Sequence, residues 1–433
     1  MDNSDLDIDK PTQQAEIDLV LAEACADFMS DHAGDDPLKL ALSAPKWPNL
    51  PVRLLAKQIE GRQKLSSKLP SWAANPRLYF PPNISQEQAS SEATAHYKAK
   101  LWPWYQNIQS KVKTIYDLTL GMGIDAMAWA ITKPTLGYER SVSLATITSH
   151  NAKALGADLI VHDYDFEADL AQISSKGAVN LIYLDPDRRS ETKQRLFDLE
   201  ECQPNAYEWV PYFLSRGQYV VVKCSPMLDL TTALRNLPTP AEILALSWKG
   251  DCRELILAFD PNHPRQEAPF YRAVELGADL DVRSFGVSGL ALEPGLLASS
   301  IGQYIYDPGP ALNKLHLADS CSVAMRLGKL HPKTYLYSSD DLVAGYPGRV
   351  FRLVQITNIS SSEVQAVIKA QTEVKQEKVL KAHVVVRNLP MVSEVVAKQL
   401  GLKEGGDLQL FVCQVSKSLN QRDKVVLVCK RIA

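Results

Sequence analysis

The stretch Tyr116-Asp117-Leu118-Thr119-Leu120-Gly121-Met122-Gly123-Ile124-Asp125 decides the fold class. The apolar run from Thr114 to Leu118 predicts a buried strand. After the two glycines, Ala126-Met127-Ala128-Trp129-Ala130 opens a helix. Strand, glycine turn and helix together bring backbone close to a ligand. Asp117 falls at the carboxyl end of the strand, where open α/β sheets bind ligands. A carboxylate there suits a cationic or polyhydroxylated ligand, not a pyrophosphate. The Gly-x-Gly also lacks the third glycine and the lysine of phosphate-binding loops. The plain alternative is a tight strand-to-helix turn with no ligand.

Outward from this stretch, strands and helices alternate between Lys111 and Asp260. Strands are predicted at Thr135–Tyr138, Asp158–His162, Asn180–Leu184 and Gln218–Val222, with helices at Ser141–Leu155 and Trp209–Leu214. Ile243–Trp248 and Arg253–Phe259 read as a closing antiparallel pair. Alternation of this length implies right-handed βαβ units and a mostly parallel sheet. Asp117, Glu139, Asp185 and Lys223 each close a predicted strand, and Asp163 and Asp165 lie just past another. In an open parallel sheet those ends share one edge, so the groups converge on one site. A single acid at a strand end is usually a cap. A series of them is harder to explain that way.

The flanks differ from this core. Residues 1–36 carry 11 acidic and 1 basic side chain, and 37–107 carry 10 basic and 3 acidic. Residues 108–345 carry 29 acidic and 22 basic, and 346–433 carry 14 basic and 7 acidic. An acidic core between basic segments is compatible with a nucleic-acid partner; ordinary solvated surfaces are the alternative. Residues 1–15 read as a disordered acidic tail, followed by a helix over Ala15–Met29 and helices at Pro37–Leu42 and Val52–Leu65. Lys57, Arg62, Lys64 and Lys68 give the last of these a basic face. Ser85 with Gln88 is a capping signature ahead of Ser90-Ser91-Glu92. Residues 263–345 are rich in Gly, Pro and Tyr and have weak periodicity. In 350–433, strands are predicted at Val350–Ile356, Lys381–Arg387, Leu408–Val415 and Lys424–Cys429, with helices at Ser362–Ala370 and Met391–Leu400. No apolar run of spanning length appears, and the seven cysteines include no CxxC pair. These features predict a cytoplasmic protein with neither membrane nor metal partner.

The series of strand-end acids resembles a class I methyltransferase dependent on S-adenosylmethionine (SAM). SAM carries an ammonium group and no phosphate, so it suits the acidic turn. The resemblance implies that Asp117, Thr119, Gly121, Gly123 and Asp125 hold its methionine end. It implies that Glu139 accepts from the ribose hydroxyls and that Asp165 and Phe166 meet the adenine, with Asp163 as a competing candidate. Leu181-Ile182-Tyr183-Leu184-Asp185-Pro186-Asp187-Arg188-Arg189 is similar to the Asp-Pro-Pro-aromatic motif of enzymes that methylate exocyclic amines. There the acid and the next carbonyl orient the target nitrogen, so catalysis is largely positioning. The resemblance gives Asp185, Pro186 and Arg188 catalytic roles, and it gives Arg189, Lys223 and Ser225 substrate contacts. Asp187 stands in place of the second proline and Arg188 in place of the stacking aromatic; an arginine can stack on a base and bind phosphate. A structural salt bridge is the other reading of Arg188 and Arg189.

Ser90-Ser91-Glu92-Ala93-Thr94-Ala95 resembles the segment of trimethylguanosine synthase and related RNA guanine-N2 methyltransferases that closes over the methionine end of SAM; this makes Glu92 a cofactor contact. Gln58-Ile59, Lys223-Cys224-Ser225-Pro226, Tyr304-Ile305-Tyr306-Asp307-Pro308 and Arg387-Asn388-Leu389-Pro390 resemble a bacterial methyltransferase family with a C-terminal THUMP-like domain. From this follows the expected fold: a Rossmann-like, seven-stranded α/β core with an N-terminal helical region and small C-terminal α+β domains. The expected divisions are a tail at 1–15, helices at 16–107, the SAM domain at 108–262, a ferredoxin-like segment at 263–345 and a THUMP-like domain at 346–433. The expected activity is methylation of an exocyclic amine in rRNA or tRNA, guanine N2 favoured. The alternatives are an RNA-binding protein without turnover and a methyltransferase acting on another substrate.

Overall fold

A computed structural model describes residues 9–82, 89–175, 177–188, 199–264, 266–277, 281–289, 294–371, 380–420 and 423–432. Two compact units divide the chain: Met1–Glu242 with Ile256–Glu267, and Ile243–Leu255 with Ala268–Ala433.

The first unit is built on β1 (Ile115–Asp117), β2 (Thr135–Tyr138), β3 (Leu159–His162), β4 (Leu181–Leu184) and β5 (Tyr219–Cys224). Their order is 3-2-1-4-5, and every pairing among them is parallel. Strands β1, β4 and β5 are buried along their whole length. That is why they read as unbroken apolar runs rather than alternating ones. The chain continues through β6 (Glu242–Trp248) and β7 (Asp251–Phe259), and the last residues of β7 return to the first unit. Lys223 lies inside β5, one residue before its end.

The N-terminal helices pack around this sheet. α1 (Lys10–Val20) is capped by Asp9, whose carboxylate accepts from the Thr12 N–H at 2.9 Å. It therefore begins inside the segment expected to be a disordered tail, because a capping acid followed by proline starts a helix well. The helix predicted at Ala15–Met29 is two helices, α1 and α2 (Glu23–Asp31), with extended backbone at Ala22 between them. α3 (Pro37–Leu42) and α4 (Val52–Leu65) have the predicted limits. Ile17, Val20, Phe28, Leu55 and Ile59 form their common core. Arg62 does not belong to a free basic face. Its guanidinium donates to the carbonyls of Ala73, Asn75 and Leu78, at 3.0, 2.8 and 2.8 Å. Gln58 clamps Phe80 through both backbone groups, which gives that residue a structural reason. The predicted cap at Ser85–Gln88 lies outside the described residues; α6 (Glu92–His96), after the short α5 (Pro70–Ala74), is instead capped by a Ser91–Thr94 box.

In the second unit, β8 (Phe270–Leu276) and β9 (Val282–Ser288) pair antiparallel beside β6. A second sheet follows: β10 (Tyr304–Pro308), β11 (Gly328–His331), β12 (Thr334–Ser339), β13 (Gly348–Thr357), β14 (His383–Arg387), β15 (Leu408–Gln414) and β16 (Lys424–Arg431), in the order 11-12-10-13-16-15-14. Only β14 and β15 run parallel. Helices Ser361–Gln371 and Ser393–Gln399 cover one face over Val364, Ile368, Val396, Leu410 and Val426. The strands β8 to β12 fall in residues whose periodicity is weak. β10 is buried on both faces except at its first residue, so it shows no alternation.

Candidate active site

The site lies at the carboxyl ends of β1, β4 and β5, all within the first unit. β1 ends in Asp117, which is 2% exposed. Its Oδ1 accepts from the Thr119 N–H at 3.0 Å and from the Thr119 hydroxyl at 3.3 Å. The same hydroxyl accepts from the Asp185 N–H at 2.7 Å, so the glycine-motif strand and the Asp-Pro strand are tied by one side chain. Gly121 and Gly123 both adopt positive φ, at 53° and 71°. At Gly123 a Cβ would stand 2.7 Å from Thr148 Cγ2, so the turn admits no side chain there. Glu139 spans the turn beside it: one oxygen accepts from the Gly121 N–H at 3.0 Å, the other from the Ser141 N–H at 2.8 Å.

Asp125 sits in the first turn of α8 (Ile124–Ala130), once α7 (Pro103–Ile108) has led into β1. It is the centre of a buried polar network. Oδ2 accepts from the Ser90 hydroxyl and from the Tyr183 hydroxyl, both at 2.7 Å. Lys98 Nζ lies 2.8 Å from Oδ1. Lys223 Nζ lies 3.5 Å from Oδ2, 2.9 Å from Ser90 Oγ and 2.5 Å from Asp185 Oδ2. Two acids, two lysines, a serine and a tyrosine thus form one connected cluster, which meets the requirement that buried charges be paired and bonded.

The electrostatics sort the three acids. Burial pushes the Asp117 carboxyl up to about 7, with Asp125 and Asp185 adding to the rise and the Thr119 N–H and Lys223 opposing it. Burial likewise raises Asp185, against the pull of Lys223. Burial acts on Asp125 in the same sense, but Lys98 and Lys223 outweigh it and hold that carboxyl well below the usual range. Burial raises the Cys224 thiol far above its ordinary value, with Asp185 adding to the rise.

The other expected contacts are distributed unevenly. Asp163 is paired with Lys10 at 3.0 Å, whereas Asp165 caps a short helical turn through the Glu167 N–H. Phe166 is buried edge-on against Trp209, centroids 5.0 Å apart. One Glu92 oxygen accepts from the Ser71 N–H, the Ser71 hydroxyl and the Trp72 N–H, so it caps α5. Ser225 accepts from the Met227 N–H at 3.2 Å in the turn after β5. Asp187 and Arg188 pair antiparallel with Gln203 and Cys202; the Arg188 side chain and all of Arg189 lie outside the described residues. Two members of the network, Lys98 and Tyr183, escaped the sequence reading. Tyr183 is two residues before Asp185, hence on the same face of the strand. Lys98 is four residues after the buried Thr94, hence on the buried helix face.

No described helix is long and apolar enough to cross a membrane. Among the described residues no group of three or more His, Cys, Asp or Glu side chains is arranged to hold a metal ion.

Comparison with known proteins agrees with this geometry. Residues 348–431 match the profile of a THUMP domain-like family, and residues 304–347 that of a ferredoxin-like domain. The chain is similar over 97% of its length, and 99% of the other's, to the crystal structure of a methyltransferase candidate from Porphyromonas gingivalis, with 26% identity and a TM-score of 0.77. Two weaker similarities are to the 16S rRNA guanine-N2 methyltransferase of T. thermophilus and to a candidate class I SAM-dependent methyltransferase of Listeria monocytogenes. The first is 13% identical over 42% of this chain and 46% of that one, at a TM-score of 0.30. The second is 12% identical over 61% and 91%, at 0.33, and neither bears on function. No curated protein matches the chain. Fold and comparison together give the chain the fold of the Porphyromonas gingivalis methyltransferase candidate, with the parallel strand order 3-2-1-4-5. The chain carries a ferredoxin-like domain at 304–347 and a THUMP-like domain at 348–431.

Proposed function

We propose that the chain transfers the SAM methyl group to an exocyclic amine of a base in ribosomal or transfer RNA, guanine N2 being the favoured acceptor. The single observation that supports this most is the Asp117–Thr119–Asp185 connection. It ties the acid of the glycine turn to the acid of the Asp-Pro pair, as a cofactor beside an acceptor amine requires. The residues present suit SAM: Asp117 faces its ammonium group, the open turn Gly121–Gly123 lets its methionine end approach backbone, and Glu139 accepts from the ribose. Asp125 and Thr119 hold that turn, Asp165 and Phe166 border the adenine, and Glu92 anchors the segment closing over the methionine. Asp185 and the Pro186 carbonyl take the amine hydrogens and aim the nitrogen lone pair at the methyl carbon. The C–N bond forms as the C–S bond breaks, S-adenosylhomocysteine leaves as the neutral thioether, and the methylated amine releases its proton to solvent. Arg188, Arg189 and Ser225 contact the RNA base and phosphate, whereas Lys223, expected among them, is buried and paired with Asp185 and Asp125.

The proposed divisions are 16–107 as the helical region after the tail at 1–15, 108–262 as the catalytic domain, 263–345 as the ferredoxin-like segment and 346–433 as the RNA-gripping domain. A THUMP-like domain with seven more basic than acidic side chains is the support for RNA, and seven cysteines without a CxxC pair are the support for a cytoplasmic place of action. A second reading, an RNA-binding protein without turnover, has one observation in its favour: Lys223 already occupies an Asp185 oxygen at 2.5 Å. Mass-spectrometric mapping of methylated nucleosides in RNA from cells with and without the gene tests the proposal, together with Asp185→Ala. The variant is expected to abolish methylation of that RNA and to leave SAM affinity nearly intact. Turnover within tenfold of the parent removes Asp185 from its role.

A further inference from the structure

Asp125 stands between two ammonium groups, and one of them is shared with Asp185. Lys223 Nζ is 2.5 Å from Asp185 Oδ2 and 3.5 Å from Asp125 Oδ2. Two carboxylates therefore compete for one lysine, the buried Asp125 and the partly exposed Asp185, and attraction rises as the charges approach. What settles the competition is Lys98. Its side chain is fully buried, it sits 2.8 Å from the other Asp125 oxygen, and it donates to Ser90 Oγ at 3.4 Å and Tyr183 OH at 3.3 Å. It lies in the π-helical turn Tyr97–Leu101, a departure from regular helix that is frequent at functional sites.

We propose that Lys98 is a positioning residue: by neutralising Asp125 it keeps Lys223 on Asp185. Without Lys98, a carboxylate buried among Ser90 and Tyr183 loses its nearest cation. The least unfavourable response is for Lys223 to shift toward it, because a buried unpaired charge is strongly disfavoured. Asp185 is then left facing Asp117 on β1 and Asp125 on α8, both carboxyl groups, with no ammonium beside it. It binds a proton at higher pH, and a protonated Asp185 offers the acceptor amine one fewer lone-pair oxygen. Tyr183 joins the two halves of the network: it lies on β4 with Asp185 and donates to Asp125. The bearing on catalysis rests on the methyltransferase reading; the linkage between the lysines and acids does not.

The test follows the Asp185 carboxyl directly, by carbon-13 NMR titration of the full-length chain labelled at aspartate, with Asp185→Asn assigning the signal. Lys98→Met is expected to move the Asp185 midpoint upward by about one pH unit or more, as for loss of a close opposite charge. In the Asp125→Asn background the same Lys98→Met change is expected to move it by less than about a third of that, because the competitor is gone. An unmoved midpoint in a folded Lys98→Met chain overturns the proposal, since a merely structural lysine alters the thermal transition and not the titration. If Lys98→Met alone does not fold, the chain Asp125→Asn and the chain Lys98→Met/Asp125→Asn, whose net charge equals the parent's, decide. Equal midpoints support the proposal, and a difference of one unit or more overturns it by showing that Lys98 acts on Asp185 directly. Calorimetry with S-adenosylhomocysteine runs alongside: absence of binding to the parent chain fails the methyltransferase reading and leaves the titration result standing.

Discussion

Among the described residues, two buried aspartates each meet two cations, and only one of them lies in the candidate site. Asp307, at the end of β10 in the second unit, is 1% exposed and lies 2.5 Å from Arg349 and 3.1 Å from Arg387. Asp125 in the first unit lies 2.8 Å from Lys98 and 3.5 Å from Lys223. Around Asp307 the cations are guanidinium groups on partly exposed stems, which suits a fork that stays hydrated while it bonds a carboxylate. Among the described residues no second acid forms an ion pair with them, although the buried Glu275 also feels Arg349. Around Asp125 the cations are buried point charges, and one is divided with Asp185. A buried acid with two cations is therefore not in itself a sign of chemistry. The sign is a cation that two acids share beside a backbone turn open to a ligand.

The largest effect is expected where that contrast is broken on the structural side. The double substitution Arg349→Met/Arg387→Met leaves Asp307 buried and unpaired. Uncompensated buried charge costs about 3–5 kcal/mol, and urea denaturation of the full chain should show the second unit losing stability by that order. SAM affinity, measured by calorimetry, should stay within twofold. A loss of SAM binding in a chain whose first unit remains folded would blur the distinction between the two aspartates.

Next in size is Glu139→Gln. Glu139 accepts from Gly121 and Ser141, and the amide keeps one acceptor oxygen while replacing the other by a donor. A lost charged hydrogen bond is worth about 1.5–3 kcal/mol, so SAM affinity should fall about 10- to 150-fold, with the thermal transition of the unliganded chain moving far less. Equal affinity in parent and variant removes Glu139 from the ribose.

The strand-end acids were legible because a parallel sheet brings successive carboxyl ends to one edge, so Asp117, Glu139 and Asp185 needed only strand limits to be placed together. Strand limits in turn followed from apolar runs such as Leu181–Leu184, which are buried throughout. Lys98 was missed because a lysine between Tyr97 and Ala99 looks like a solvated helix residue, and its i, i+4 relation to Thr94 became informative only once Thr94 was seen to be buried. Glu92 illustrates the reverse case: its motif suggested a ligand contact, yet one oxygen caps α5, whose start at Pro70 no motif marks. The division expected at 345/346 came with the resemblance, and the two matched profiles meet close to it, at 347/348. Strand pairing crosses it all the same: β10 pairs with β13 along Tyr304–Pro308, so one sheet runs through that boundary. A cut at 346 would remove four of its seven strands, and point substitutions are the better probe of the THUMP-like domain.

Protonation gives a third, intermediate test. The Asp117 carboxyl sits at about 7 in the fold against an ordinary 3.8. For an acid raised in the folded state, the fold binds more protons than the unfolded chain between those values. Its contribution to stability is therefore present below about 4 and is lost as pH rises toward 7. A cationic ligand acts in the opposite sense, favouring the ionised form. SAM affinity should accordingly rise about tenfold between pH 6 and pH 8, as the ionised fraction does. Asp117→Asn should flatten that rise and make the unliganded chain's stability less dependent on pH over the same interval. An unchanged pH slope in the variant assigns the dependence to a group other than Asp117.

The smallest effects are expected on the exposed face of the second sheet. Arg352 on β13 stands directly opposite Lys430 on β16, and both are exposed. Like charges directly opposite on neighbouring strands are destabilising by a few tenths of a kcal/mol. An anion laid across both strands would offset that repulsion. Arg352→Ala with Lys430→Ala should therefore stabilise the free chain by about 0.2–1 kcal/mol in urea. The same pair should weaken binding to a transfer- or ribosomal-RNA fragment. Each phosphate contact removed should reduce the slope of log affinity against log salt by about 0.7–0.9. The two signs matter together: a gain in stability with a loss in RNA affinity and salt slope marks a surface kept basic for a polyanion. Stabilisation with an unchanged salt slope would instead move the RNA contacts to other basic residues, and the exposed Lys57 of α4, in the first unit, would be the next to replace.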